Sequence, residues 1–273
     1  MRAPFGKRLA ESVAARGRLC VGIDPHPGLL DAWGLPQDVS GLERFALTCV
    51  EALAGEISVL KPQSAFFEAY GSRGVAVLER VIAESQAAGA LVLLDVKRGD
   101  IGSTMAAYAA AYLGEGSPLA ADAVTLSPFL GFGSLAPAID EAERTGRGVF
   151  VLALTSNKEG ASVQRAVGDG KLVAQTVVDE AALRNADADP MGSVGLVIGA
   201  TVGETGLDLS RLNGPILAPG VGAQGAGAAD LDRVFGPLAH VLPTSSRDVL
   251  KHGPDATALR TAALRARDEL AAR

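Results

Sequence analysis

Short apolar runs that close on a polar or charged residue recur along the chain, and stretches with helical periodicity separate them. Leu19-Cys20-Val21-Gly22-Ile23-Asp24 is the first run, ended by an acid and then Pro25-His26-Pro27. Ile57-Ser58-Val59-Leu60-Lys61-Pro62 ends in a lysine, and Leu91-Val92-Leu93-Leu94 leads into Asp95-Val96-Lys97-Arg98-Gly99-Asp100. The pattern continues over 123–128, 149–156, 194–199, 215–219 and 240–247. Runs this short, rich in branched residues and bounded by turn residues, read as strands buried on both faces. Between them, apolar spacing predicts helices over 4–17, 42–53, 75–88, 103–113, 135–145, about 162–185, 228–235 and from 255 to the C-terminus. Met105, Tyr108 and Tyr112 share one stripe of the fourth.

Eight strands alternating with helices over 273 residues predict an α/β fold, a single (β/α)8 TIM barrel, rather than an open sheet. No Pro-, Ser- or acid-rich run resembles an interdomain linker, so residues 1–273 are expected to form one catalytic domain.

Composition narrows the function. With 48% hydrophobic residues the chain can bury a sizeable core, which excludes general disorder. A net charge of −6 argues against a nucleic-acid binder, which needs clustered cations to displace counterions. Cys20 and Cys49 form no CxxC pair, so neither a disulfide scaffold nor a zinc site is expected. No apolar run reaches membrane-spanning length, and a soluble protein of the reducing cytoplasm is expected.

In a barrel the residues after each strand meet around one opening. Here they are Asp24, Lys61, Asp95 with Lys97, Ser127, Thr155 with Ser156, Thr201, the 220–225 loop, and Ser246 with Arg247. Strand alternation sends Asp95 and Lys97 to the same side, with Asp100 a short loop further on. Unpaired charges so close together are costly, which favours a site over scattered surface residues. Pro219-Gly220-Val221-Gly222 lets backbone N–H groups approach a phosphate, and Arg247 adds a planar cationic fork on the same side. Together they favour a phosphorylated ligand. Gln224 reaches the same ligand or is an ordinary surface loop residue, and both readings stand. His26, His240 and His252 form no metal constellation: His240 belongs at a strand start on the opposite face, His252 in a surface turn, and His26 stays unassigned. Trp33, Phe66, Phe67 and Tyr70 read as packing residues rather than a stacking platform.

The stretch Asp95-Val96-Lys97-Arg98-Gly99-Asp100-Ile101-Gly102 resembles the Asp-x-Lys-x-x-Asp signature of the orotidine 5′-phosphate decarboxylase family. Leu60-Lys61-Pro62-Gln63-Ser64-Ala65-Phe66-Phe67-Glu68 and Leu154-Thr155-Ser156-Asn157 are similar to the longer form common in bacteria. The resemblance implies decarboxylation of orotidine monophosphate to uridine monophosphate, without metal or organic cofactor. Lys97 would protonate a C6 carbanion, Asp95 would sit beside the departing carboxylate, and Lys61 with Asp24 would contact the ribose. Ser156 would meet the pyrimidine, while Pro219, Gly220, Gly222, Gln224, Ser246 and Arg247 would hold the phosphate. Asp100, Ile101 and Thr104 would enter the neighbouring site of a homodimer. Two departures stand out: Ser246 replaces the glycine usual in compact members, and 158–190 is longer. The rivals are an Mg-dependent sugar-phosphate decarboxylase or aldolase of the same superfamily, and an inactive barrel that only binds phosphate ligands.

Overall fold

The apolar runs fold into eight parallel strands: β1 Cys20–Ile23, β2 Val59–Pro62, β3 Leu91–Arg98, β4 Ala123–Leu126, β5 Gly148–Leu154, β6 Val194–Ile198, β7 Ile216–Pro219 and β8 Val241–Ser245. Each pairs with its neighbours in sequence and β8 pairs with β1, so the sheet closes into a barrel. The computed structural model describes residues 2–222, 227–236 and 240–271.

Alternation along the strands sorts the core into two layers. Outward residues such as Leu60, Leu94, Val124 and Val151 pack against the surrounding helices. Inward residues such as Cys20, Val59, Leu93, Ala123, Phe150, Leu217 and Leu242 fill the barrel. The first helix, Phe5–Arg16, closes the N-terminal end: Phe5 meets Phe150 edge-on at 6.0 Å between ring centroids. Arg8 ties the same end to Asp122 at 2.6 Å, and the other Asp122 oxygen accepts from the Val92 N–H. His240 precedes β8 at this end of the barrel, as its place in the sequence predicts.

The inward columns change character on the way up. Leu91 and Leu93 give way to Asp95 and Lys97, and Val59 to Lys61. Ala123 gives way to Thr125, and Leu242 to Thr244 and Ser246. A period of two with a polar end therefore stacks an apolar plug beneath a polar floor.

The helix predicted over 42–53 runs Val39–Leu53, because the Asp38 carboxylate accepts from Ser40 N and Gly41 N and starts it a turn earlier. The helix expected over about 162–185 is a correction. A short helix, Ala161–Gln164, and a two-stranded hairpin, Val167–Gly168 with Lys171–Leu172, come before the helix Val173–Asn185. Asp169 and Gly170 make the turn with φ of 51° and 77°, the pair of positive values that a two-residue hairpin turn needs. The Asp-Gly signal lay inside a stretch whose apolar residues also suited a helix. Short helices Pro27–Ala32, Ser64–Glu68 and Arg247–Leu250, too brief for periodicity to reveal, stand at strand exits.

Candidate active site

A cavity of about 550 Å³ opens at the C-terminal end of the barrel. Its floor is the inward column of each strand, so Asp24, Lys61, Asp95, Lys97, Ser156, Pro219, Gly220, Ser246 and Arg247 all line it. Asp95 stands at the centre. Its Oδ2 lies 3.0 Å from Lys61 Nζ, and its Oδ1 takes Lys97 Nζ at 2.6 Å and the Thr125 hydroxyl at 2.8 Å. Lys61 and Asp95 are buried, whereas the Lys97 side chain is 46% exposed toward the cavity.

Burial by itself would raise the Asp95 carboxyl. Lys61, Lys97 and the hydrogen bonds from Lys97 and Thr125 overcome it and hold the carboxyl well below the usual carboxylate range. Burial likewise works against the Lys61 ammonium, but the Asp95 and Asp24 carboxylates win and hold it above the usual lysine range. The floor thus carries fixed charges at neutral pH. Cys20 lies beneath it, and burial pushes its thiol up to about 12, which leaves it an inert core residue.

Backbone geometry aims the array. β3 takes four residues from Leu94 to Arg98 where β4 takes two from Val124 to Leu126, and inside this bulge Lys97 adopts a φ of 47°. Arg98 braces the bulge from the other face. Its guanidinium lies 5.7 Å from the Tyr108 ring centroid and 5.8 Å from that of Tyr112, and it donates to Glu68 at 2.6 Å and to the Val96 carbonyl. Tyr108 and Tyr112, expected on one stripe of the helix, are therefore the seat of this arginine.

Asp24 lines the cavity, and its Oδ1 is buried without a hydrogen-bond partner among the described residues. Strand β1 passes close to Ser246 here: a Cβ on Gly22 would strike the Ser246 hydroxyl and come 3.0 Å from Asp24 Oδ2. At the rim, Gly220 has a φ of 107° beside exposed Arg247.

Several expected members stand elsewhere. Ser127 and Thr201 do not line the cavity. β4 ends at Leu126 and the chain turns, so the Ser127 hydroxyl donates instead to the Lys97 carbonyl at 3.1 Å. Gly222, with a φ of 78°, backs onto Asp248 rather than onto the cavity. Asp100, Ile101 and Thr104 also lie outside the lining: Asp100 accepts from Ile101 N at 2.8 Å, Ile101 is 61% exposed and Thr104 is exposed. Gln224 falls outside the described residues. His26, unassigned by sequence, caps the helix Pro27–Ala32 by accepting from Gly28 N.

Residues that sequence reasoning passed over also line the cavity: Gln63, Thr125, Asn157, Gln164 and Thr244. Gln63 and Thr125 were accessible through period-two parity, from Lys61 and Ala123 respectively. Gln164 was not, because it arrives from the short helix after β5 and folds back to accept from Thr155 N at 2.8 Å. Among the described residues no three His, Cys, Asp or Glu side chains gather closely enough to hold a metal ion.

Residues 17–262 match the model of the orotidine 5′-phosphate decarboxylase / HUMPS family. The chain is 67% identical over 261 residues to an orotidine 5′-phosphate decarboxylase of Salinispora arenicola, covering 95% of this chain and 94% of that relative. Identity is 61% over 262 residues, with the same coverage, to the one of Streptomyces coelicolor. A crystal structure from Streptomyces avermitilis, assigned as an orotidine 5′-phosphate decarboxylase, superposes with a TM-score of 0.97 at 59% identity, covering 100% of this chain and 96% of that one. The Leishmania donovani OMP decarboxylase structure superposes with a TM-score of 0.76 at 30% identity, covering 98% of each.

Proposed function

The chain belongs to the orotidine 5′-phosphate decarboxylase / HUMPS family, and from that premise we propose that it converts orotidine monophosphate to uridine monophosphate and CO2 in pyrimidine biosynthesis. The observation that carries this reading is the Lys61–Asp95–Lys97 array, with Nζ–O distances of 3.0 and 2.6 Å, two buried members and Lys97 open to the cavity.

The chemical problem is the electron pair left at C6 when the bond to the carboxyl carbon breaks, since no adjacent group delocalises it. Lys97 faces the cavity, where its ammonium stabilises negative charge developing at C6. As CO2 departs, the Lys97 ammonium gives its proton to C6 and becomes a neutral amine. Asp95 holds that ammonium in place and lies beside the departing carboxylate. Because the ions are fixed before reaction, little reorganisation is required as the charge moves.

The rest of the cavity suits the remainder of the substrate. Asp24, which lines the cavity, accepts from a ribose hydroxyl, and Lys61 contacts the same sugar. Ser156 borders the pyrimidine. Arg247, Ser246, Pro219 and Gly220 hold the phosphate, as the resemblance implies for Gly222 and Gln224 too. Asp100, Ile101 and Thr104, none of which lines its own cavity, serve a second copy, so the working form is a homodimer of one-domain chains. The protein acts in the cytoplasm on a small nucleotide, with no nucleic-acid or membrane partner. No helix among the described residues is long and apolar enough to cross a membrane.

An Mg-dependent sugar-phosphate enzyme would need an acid where Lys61 stands. The test is a spectrophotometric assay with orotidine monophosphate in metal-free buffer. Turnover unaffected by EDTA is expected; activity lost with EDTA and restored by Mg²⁺ would overturn the reading, as would no turnover by folded protein.

A further inference from the structure

Thr125 is 1% exposed, and its hydroxyl is fully used. It donates to Asp95 Oδ1 at 2.8 Å and accepts from the backbone N–H groups of Val96 at 3.0 Å and Lys97 at 2.9 Å. A hydroxyl has one proton and two lone pairs, so these three bonds saturate it. They also settle its direction: with both lone pairs taken by N–H groups, the proton can only point at the carboxylate.

The position explains the need. The β3 bulge faces the middle of β4, where Thr125 lies between the registered pairs Leu94–Val124 and Arg98–Leu126. The extra residues of a bulge lose their ladder partners, and two buried N–H groups would otherwise be stranded. The Thr125 hydroxyl takes the place of those ladder acceptors. In the same stroke it fixes the segment carrying Lys97 at a φ of 47° and the oxygen that Lys97 Nζ approaches at 2.6 Å.

Building on the proposed decarboxylation, we infer that Thr125 is a positioning residue for that reaction. It joins the Lys97 backbone to the Asp95 carboxylate through one atom, so the ammonium and its counter-ion are aimed as a unit. It touches no reacting atom and acts by keeping Lys97 in line with C6. Its loss lets the bulge relax and Lys97 wander, which costs turnover more than nucleotide affinity, because phosphate and ribose are held elsewhere.

The experiment compares Thr125→Val, which keeps shape and removes the hydroxyl, with Thr125→Ser, which keeps the hydroxyl. Steady-state kcat is measured with orotidine monophosphate, Kd with uridine monophosphate by calorimetry, and Tm on the same samples. Loss of a hydrogen bond to a charged group predicts a fall in kcat of about tenfold to a hundredfold for Thr125→Val, with Kd changed by less than about threefold. Thr125→Ser is expected to recover kcat to within about threefold of wild type. Should Thr125→Val not fold, Thr125→Cys, of similar size with a weak donor and acceptor, is expected to show the same loss relative to Ser. A valine or cysteine variant with wild-type kcat, or a serine variant as slow as valine, overturns the inference. So does loss that falls on Kd and Tm alone. Wild-type protein without decarboxylase activity would instead sink the function on which the inference rests.

Discussion

Lys61 and Asp95 form an ion pair inside the barrel, Nζ to Oδ2 at 3.0 Å, with side chains only 6% and 8% exposed. Removing Asp95 takes the close counter-charge from buried Lys61, whereas Asp95 without Lys61 still keeps Lys97 and Thr125. Asp95→Asn is therefore expected to destabilise the fold by about 3–5 kcal/mol, the usual cost of breaking a buried pair. Chemical denaturation at neutral pH checks it, and a variant within about 1 kcal/mol of wild type would show that Lys61 does not depend on that carboxylate.

The same pair sets a pH window. Asp95 is depressed by its neighbours, so its stabilising contribution is complete above the ordinary carboxylate pKa of about 4 and fades as pH falls through its lower folded value. Lys61 is raised, so its contribution is complete below about 10 and fades as pH rises through its higher folded value. The Tm gap between wild type and Asp95→Asn should narrow as pH drops from about 5 to about 3. A gap that stays constant across that range would contradict the assignment.

Lys97 separates stability from chemistry. Its side chain is half exposed, and a pair of that kind contributes at most about 1 kcal/mol. Lys97→Ala should keep its Tm within a few degrees of wild type and still bind uridine monophosphate, while decarboxylation becomes undetectable. Near wild-type turnover in the variant would refute the proton-donor role.

A shared site makes a complementation prediction. Inactive Asp100→Asn and Lys97→Ala subunits, mixed and exchanged, should recover part of the activity, since a hybrid dimer contains one cavity with both residues intact. If subunit exchange is demonstrated and no activity returns, Asp100 does not serve a neighbour.

Arg247 lines the cavity and is exposed. Arg247→Ala should lower kcat/KM by about tenfold to a hundredfold, from loss of charge-assisted hydrogen bonds, while Tm barely moves. Unchanged kcat/KM would place the phosphate elsewhere.

The fold was largely legible because eight short apolar runs at this spacing leave few alternatives to a closed barrel, and the closed eight-stranded sheet agrees. Asp95 and Lys97 were expected on one side from strand alternation and do meet, but across a bulge that breaks the regular alternation, with Lys97 at a φ of 47°. The hairpin at Asp169-Gly170 was hidden, since local apolar spacing suited a helix until the positive-φ turn was seen. Thr125 was within reach of period-two parity from Ala123, but its bonds to Asp95 and to the Val96 and Lys97 N–H groups were not, because they form across the strand pair at a bulge.

The sequence by itself determined the strand rhythm, the polar strand ends and the identity of the charges, because alternation and periodicity are properties of neighbouring residues. Only the tertiary structure decided which of those polar ends meet, and on what terms. Closure brings Lys61 of β2, Asp95 of β3 and Thr125 of β4 within hydrogen-bond reach, and the β3 bulge turns Lys97 onto Asp95. Arg98 is braced by a helix that begins after the strand it closes. Such contacts depend on strand register and on where a bulge falls, and both are set by packing between segments far apart in the chain.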